Sequence, residues 1–296
     1  MKSKSETLLF GKNGEVFIPL IRNVLSEIHP YEYEFMDINE FELLGKTQPS
    51  KAQKVYWREI LMRAHFTAII SLLRSIRWLD GAINAYESTN YLSFTSAIRG
   101  FLESAADSFY SLSNVNLTLA ENFANIESAL LEKVSTKEFF SSKELEDILI
   151  HFSHARFIKK GENFPDSHNA KRMSDYIKKM ENQNSDVTIG DCYYELCEST
   201  HPASQSVYCF TEVKNEVSQK YAISQTSDKE FIESFCKRYE KVFNSLFQYQ
   251  FNAALFALRV INSFSIDEYK TPIVDQISFD NIKGWEKLKQ LLPREF

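Results

Sequence analysis

Residues 50–80 contain neither a glycine nor a proline, and the whole chain of 296 residues holds only 8 Gly and 7 Pro. Average usage would make these two residues about 12% of a chain; here they are about 5%. Sandwiches and barrels need turn-forming residues every ten positions or so, and this chain does not have them. With 44% hydrophobic residues, 24 Phe and 14 Tyr, it can bury a large core, which excludes wholesale disorder. The fold class expected is all-α: a long-helix, up-down bundle with peripheral helices.

The pattern divides the chain into residues 1–49 as a peripheral cap, 50–265 as the bundle core and 266–296 as a tail with one short helix near 280–291. In the cap, Phe17, Leu20, Ile21, Val24, Leu25 and Ile28 recur at helical spacing, and His29-Pro30 stops the helix. An acidic, aromatic stretch over 31–44 reads as loop and a short helix. Ile60, Leu61, Ala64, Ala68, Leu72, Ile76, Leu79 and Ile83 mark one long amphipathic helix over 50–87. After Ser88-Thr89-Asn90 a second runs over 91–114, and so short a connection makes the two an antiparallel hairpin. Helices over 116–133 and 142–158 have plausible N-caps at Ser135-Thr136 and Ser141-Ser142. A loop at 159–169, helices at 170–180 and 186–200, and a polar stretch at 214–227 lead to a long Phe-rich helix over 228–263.

Two groups of residues could carry chemistry. Arg99 and Glu103 stand i,i+4 on the second long helix, on a face shared with Asp107 and bordered by small residues including Gly100. Exposed, such a pair contributes at most a few tenths of a kcal/mol; partly buried, it either locks helices or positions a phosphate. The second group is Tyr193-Tyr194-Glu195-Leu196-Cys197-Glu198-Ser199-Thr200-His201-Pro202. Pro202 forces His201 off the helix, to a C-terminal end whose carbonyls favour the protonated ring. His201 is read as acid, base or phosphate ligand, or as a plain helix cap.

The hairpin FTAIISLLRSIRWLDGAINAYESTNYLSFTSAIRGFLESAADSFYSL, followed by YYELCESTHPAS, resembles a family of all-helical bacterial proteins with Arg-x-x-x-Glu on one helix and a later His-Pro-Ser/Ala. That family is similar to the HEPN superfamily (higher-eukaryote and prokaryote nucleotide-binding helical domains). The resemblance covers about residues 60–115 and 190–205, and it implies a bundle that commonly dimerises and often acts as a metal-independent ribonuclease. Superfamily enzymes carry Arg-x4–6-His on one helix; here Leu196, Glu195 and Tyr194 precede His201 at those distances, so Arg99 must supply the cation from another helix. On this reading Arg99 holds the scissile phosphate, His201 moves the proton, Glu103 fixes the Arg99 fork and Tyr194 bonds the same phosphate.

Residues 142–186 read as a basic helical insertion, within which Arg156, Lys159, Lys160, Lys171, Arg172, Lys178 and Lys179 form the expected RNA-binding surface, with Phe157, Phe164 and Tyr176 available to stack on bases. The net charge of the chain is -6, so any nucleic-acid contact must be local. Arg63, Arg74 and Arg77 form a stripe that either joins Arg99 or is neutralised by Glu59, Asp80 or Glu103. Asp147, His151 and His154, with His168, share one face but match no strong zinc signature, so neither metal nor cofactor is expected. Cys192, Cys197, Cys209 and Cys236 make no C-x-x-C pair and read as free thiols, and a Cys197/His201 dyad lacks an orienting group. No apolar run follows the charged start and no window spans a membrane, so a cytoplasmic protein without membrane association is expected. Two functions stay open: an RNA-cleaving or RNA-binding effector such as a toxin or antiviral defence protein, and a non-catalytic helical module that forms a homodimer or docks a partner.

Overall fold

The computed structural model describes residues 2–28, 30–134, 139–183, 187–215, 217, 219–224 and 228–293. The capping positions Ser135 and Thr136, His29 of the first stop, and residues 184–186 and 225–227 lie outside the described residues. The chain is predominantly helical, as its composition requires. Its helices are α1 (Lys2–Ser26), α2 (Ile38–Thr47), α3 (Pro49–Glu87), α4 (Tyr91–Leu112), α5 (Val115–Glu121), α6 (Phe123–Leu130), α7 (Lys143–His154), α8 (Met173–Glu181), α9 (Ile189–Thr200), α10 (Ser204–Tyr208), α11 (Asp228–Arg238), α12 (Glu240–Asn262) and α13 (Lys283–Leu291).

Two units organise these helices. One comprises Met1–Asn23, Leu72–Asp107 and Arg172–Phe251; the other comprises Val24–Ser71, Ser108–Lys171 and Asn252–Phe296. Four of the five boundaries fall inside α1, α3, α4 and α12, and the fifth, between Lys171 and Arg172, falls in the loop before α8. Of residues 1–49, those up to Asn23 belong to the first unit and the rest to the second. Leu9, Phe10, Ile18 and Ile21 are all buried, as core residues of the first unit.

The first unit is held by phenylalanine at four-residue spacing. Phe235, Tyr239, Phe243, Phe247 and Phe251 follow one stripe, and a four-residue step returns each side chain to nearly the same helix face. Phe10 meets Phe243 edge-on at 5.6 Å, and Phe101 of α4 meets Phe247 at 5.4 Å. Each ring so buried stabilises the fold by about 2 kcal/mol. Tyr239 interrupts what the pattern predicts as one helix, separating α11 from α12.

One segment of this unit departs from the all-helical expectation. Strands β1 (Thr211–Asn215) and β2 (Lys220–Ile223) pair antiparallel, with Thr211 opposite Ile223 and Val213 opposite Tyr221. These residues are β-branched or aromatic at alternate positions, which suits a strand. Val213 and Ile223 stay largely exposed, so no core rewards the pairing.

The second unit packs around mixed aromatic and polar contacts. Trp57 stacks on Phe140 at 4.9 Å and donates its indole N–H to the Phe140 carbonyl at 3.0 Å. Ser142 caps α7 as expected, its Oγ accepting from the Leu145 N–H. Phe256 of α12 meets Phe279 and Trp285 of the tail at 5.2 and 5.5 Å. The expected loop at 159–169 extends further in both directions, because α7 ends at His154 and α8 starts at Met173; it contains one 3-10 turn at Asp166–His168.

Candidate functional site

The candidate site lies in the first unit, where α4 and α9 run antiparallel. Asn90 Oδ1 accepts the Ser93 N–H at 2.9 Å and so caps α4. Further along, Gly100 leaves room for a neighbour: a Cβ there would sit 2.5 Å from Trp78 Cε2, so the indole of α3 lies directly on the α4 backbone. On α9 the buried stripe is Cys192, Leu196 and Ser199. At one end Tyr91 shares a hydrogen bond with Ser199 at 3.2 Å; at the other, Tyr193 donates to Glu103 Oε1 at 3.1 Å. Glu195 turns away to accept from Tyr239 at 2.7 Å and to pair with Arg238 at 3.1 Å, which fixes the rotation of α9. The helix stops where Pro202 demands: His201 has φ -100° and ψ 164°, and its N–H still reaches the Cys197 carbonyl.

These constraints aim four groups at Arg99. Its Nε donates to Glu103 Oε1 at 2.9 Å, and its Nη1 donates to Thr200 Oγ1 and to His201 Nε2, each at 3.0 Å. The Tyr193 ring lies under the guanidinium, 5.7 Å from centroid to Cζ. Thr200 can accept because its own proton goes to the Leu196 carbonyl at 2.8 Å. Nη2 has no protein partner among the described residues, and Arg99 keeps about a quarter of its side chain exposed, so two N–H donors remain for a ligand.

Arginine has only donors, so His201 Nε2 must accept, which fixes a neutral ring with its proton on Nδ1. The helix end alone gives no such partner to Nε2; the guanidinium donor does. Burial works against the Arg99 charge, but the hydrogen bond to Glu103 and the neighbouring Cys197, Glu103 and Tyr193 raise its pKa overall. The Tyr193 hydroxyl is pushed up to about 12, first by burial and then by the Glu103 carboxylate.

The expected site residues Arg99, Glu103 and His201 thus come together. Tyr194 does not join them, being 68% exposed; its neighbour Tyr193 reaches the cluster instead, with its hydroxyl committed to Glu103. Asp107 belongs elsewhere, paired with Arg74 at 2.6 Å. Of the arginine stripe of α3, Arg74 is neutralised by Asp107 and Arg63 lies over the Phe35 ring at 4.0 Å. Tyr193 and Thr200 were not among the expected site residues, although Tyr193, Cys197 and Thr200 stand i, i+4 and i+7 and lead directly to His201.

The basic stretch divides between the units. Arg156, Lys159, Lys160 and Lys171 belong to the second; Arg172, Lys178 and Lys179 belong to the first. Phe157 and Phe164 are exposed, but Tyr176 is buried in α8 and cannot stack on a base. Asp147 pairs with Lys143 at 2.9 Å, the Nδ1 of buried His151 lies 2.9 Å from the Ser167 carbonyl, and His154 stacks on His168. Among the described residues no group of three or more His, Cys, Asp or Glu is placed to hold a metal ion. All four cysteines are free, and burial pushes the Cys192 and Cys236 thiols up. Among the described residues no helix is long and apolar enough to cross a membrane. Comparison with protein-family models, with curated proteins and with solved structures returns no match.

Proposed function

We propose that this chain is a HEPN-like RNA-binding protein that cleaves the RNA backbone without a metal ion, using Arg99 and His201. One observation carries the reading: a guanidinium with free donors lies 3.0 Å from a neutral imidazole nitrogen, so an anion-holding charge and a proton acceptor can reach the same phosphate. Arg99 Nη2 binds the non-bridging oxygens and offsets the charge that develops on them. Once Arg99 Nη1 turns from His201 to the phosphate, the freed lone pair of His201 Nε2 takes the proton of the ribose 2′-OH. The 2′-oxygen then bonds to phosphorus as the bond from phosphorus to the 5′-oxygen breaks, and water protonates the departing oxygen. The products are a 2′,3′-cyclic phosphate and a 5′-hydroxyl. Glu103 and Tyr193 orient Arg99. The resemblance extends the proposal to a cytoplasmic stress or defence effector that works as a homodimer.

The test is RNA incubated with wild type, His201→Ala and Arg99→Lys, with product ends identified. The expected outcome is a cyclic-phosphate product and a loss of about 10²–10⁴-fold in His201→Ala. Equal cleavage by wild type and His201→Ala, or none by either, ends the mechanism. One observation favours a second, non-catalytic reading. Glu103 Oε1 accepts from both Arg99 and Tyr193, which ties α4 to α9 with no ligand at all. If the cluster is only such a lock, Arg99→Lys lowers stability and wild type leaves RNA intact.

A further inference from the structure

The loop after α7 holds four planar groups in a row. The His154 and His168 rings are stacked, with centroids 5.3 Å apart and planes at 27°. His168 continues onto Phe164 at 6.1 Å and 22°, and the Arg156 guanidinium covers Phe164 at 4.4 Å. The backbone fixes this order: the Arg156 N–H bonds to the His168 carbonyl at 2.9 Å, and the Ala170 N–H returns to the Arg156 carbonyl at 3.0 Å. Gly161, at φ +95°, closes the turn that lets the Glu162 carboxylate take both the Lys159 N–H and an Arg156 Nη. Arg156 is therefore oriented although it is exposed.

Such a row is more order than a surface loop needs, and its end groups are open: Arg156 and His154 are both exposed. Beside it, Phe157 is 82% exposed, and the Lys159 and Lys160 side chains make no ion pair among the described residues. Flat faces that continue a stack, next to unpaired cations, suit an unpaired base and the phosphates on either side of it. A duplex keeps its bases stacked on each other and offers no face to such a row.

We propose that the Arg156–Phe164–His168–His154 row is a binding site for single-stranded RNA, on which an unpaired base adds as the next rung while Lys159 and Lys160 meet its phosphates. The inference rests on the reading of RNA as the ligand, and it makes that ligand unpaired. The test is fluorescence anisotropy of the whole chain with a labelled oligouridylate and with an RNA duplex of the same length. Phe164→Ala and Arg156→Lys each weaken oligouridylate binding by about tenfold, as expected for one stacked base, and leave duplex binding unchanged. Phe164→Trp keeps wild-type affinity, which separates stacking from misfolding. Unchanged affinity in both weakened variants, equal losses on duplex, or no binding of oligouridylate by wild type overturns the proposal. Cleavage discriminates the two readings. A wild type that binds through the row but never cuts RNA defeats the catalytic mechanism alone. A Phe164→Ala variant that binds and cuts like wild type defeats the row alone.

Discussion

Arg22 sends one Nη to Glu6 and the other to Asp80, whereas Arg99, in the same unit, meets one carboxylate and two neutral acceptors. The first arrangement overcompensates its cation and buries one partner, since Glu6 is 2% exposed. The second balances charge with Glu103 alone and leaves an amino group uncommitted. A third arginine, Arg74, pairs with the single carboxylate of Asp107 and also reaches the Ser104 carbonyl. The difference separates a cation spent on holding helices from one still able to meet an anion.

The largest effect that could break this comparison is on activity. His201→Ala removes the proton acceptor from an exposed position, so RNA cleavage falls by about 10²–10⁴-fold while unfolding stability moves by less than about 0.5 kcal/mol. An equal fall in stability would make Arg99 another lock. Arg22→Met gives the opposite result. It strands the Glu6 carboxylate in the core, and urea unfolding at neutral pH should show a loss of about 3 kcal/mol, with the cleavage rate per folded molecule unchanged.

A smaller effect asks whether the Arg99 cluster depends on how α4 sits against α3. Gly100→Ala adds a methyl that would lie 2.5 Å from Trp78 Cε2. Helix propensity gains about 1 kcal/mol from the change, while overpacking costs about 1–3, so the expected result is a net loss near 1 kcal/mol. The indole must shift, and tryptophan emission should change with it. Combining Gly100→Ala with Trp78→Ala removes the collision. Gly100→Ala should therefore cost less in a Trp78→Ala background than in wild type, and an equal cost in both backgrounds would mean that the indole is not the cause.

The helices around the site were legible where breakers are scarce. Residues 50–87 give α3 and 91–114 give α4 to within about two residues, because nothing between them could end a helix except Ser88-Thr89-Asn90. Pro202 likewise places His201 off the helix on sequence grounds alone. What was not legible depends on contacts between distant segments. Gly100 is small because of Trp78, twenty-two positions earlier. The choice between Tyr193 and Tyr194 turns on one residue of helix phase, about 100°, which Tyr239 and Arg238 set through Glu195. The hairpin at 211–223 escaped because its alternating residues are exposed, so burial gives no periodic signal there.

The smallest expected effect tests that phase directly. Tyr193→Phe removes the hydroxyl that Glu103 accepts and leaves the ring under Arg99, so stability at pH 7 should drop by about 1 kcal/mol. Its pH dependence has a definite sign. A phenol with an ordinary pKa near 10 when unfolded and about 12 when folded keeps its proton longer in the native state. Its contribution is complete below pH 10 and is lost as pH rises from about 10 to about 12. Removing the hydroxyl should therefore make the alkaline loss of stability shallower in that window than it is in wild type. The Tyr193→Phe difference spectrum near 295 nm should also lack one late-titrating phenol. Tyr194→Phe, on the exposed face, should change neither quantity. If Tyr194→Phe flattened the alkaline limb and Tyr193→Phe did not, α9 would present its other tyrosine to Glu103, and the geometry that brings Thr200 and His201 to Arg99 would fail with it.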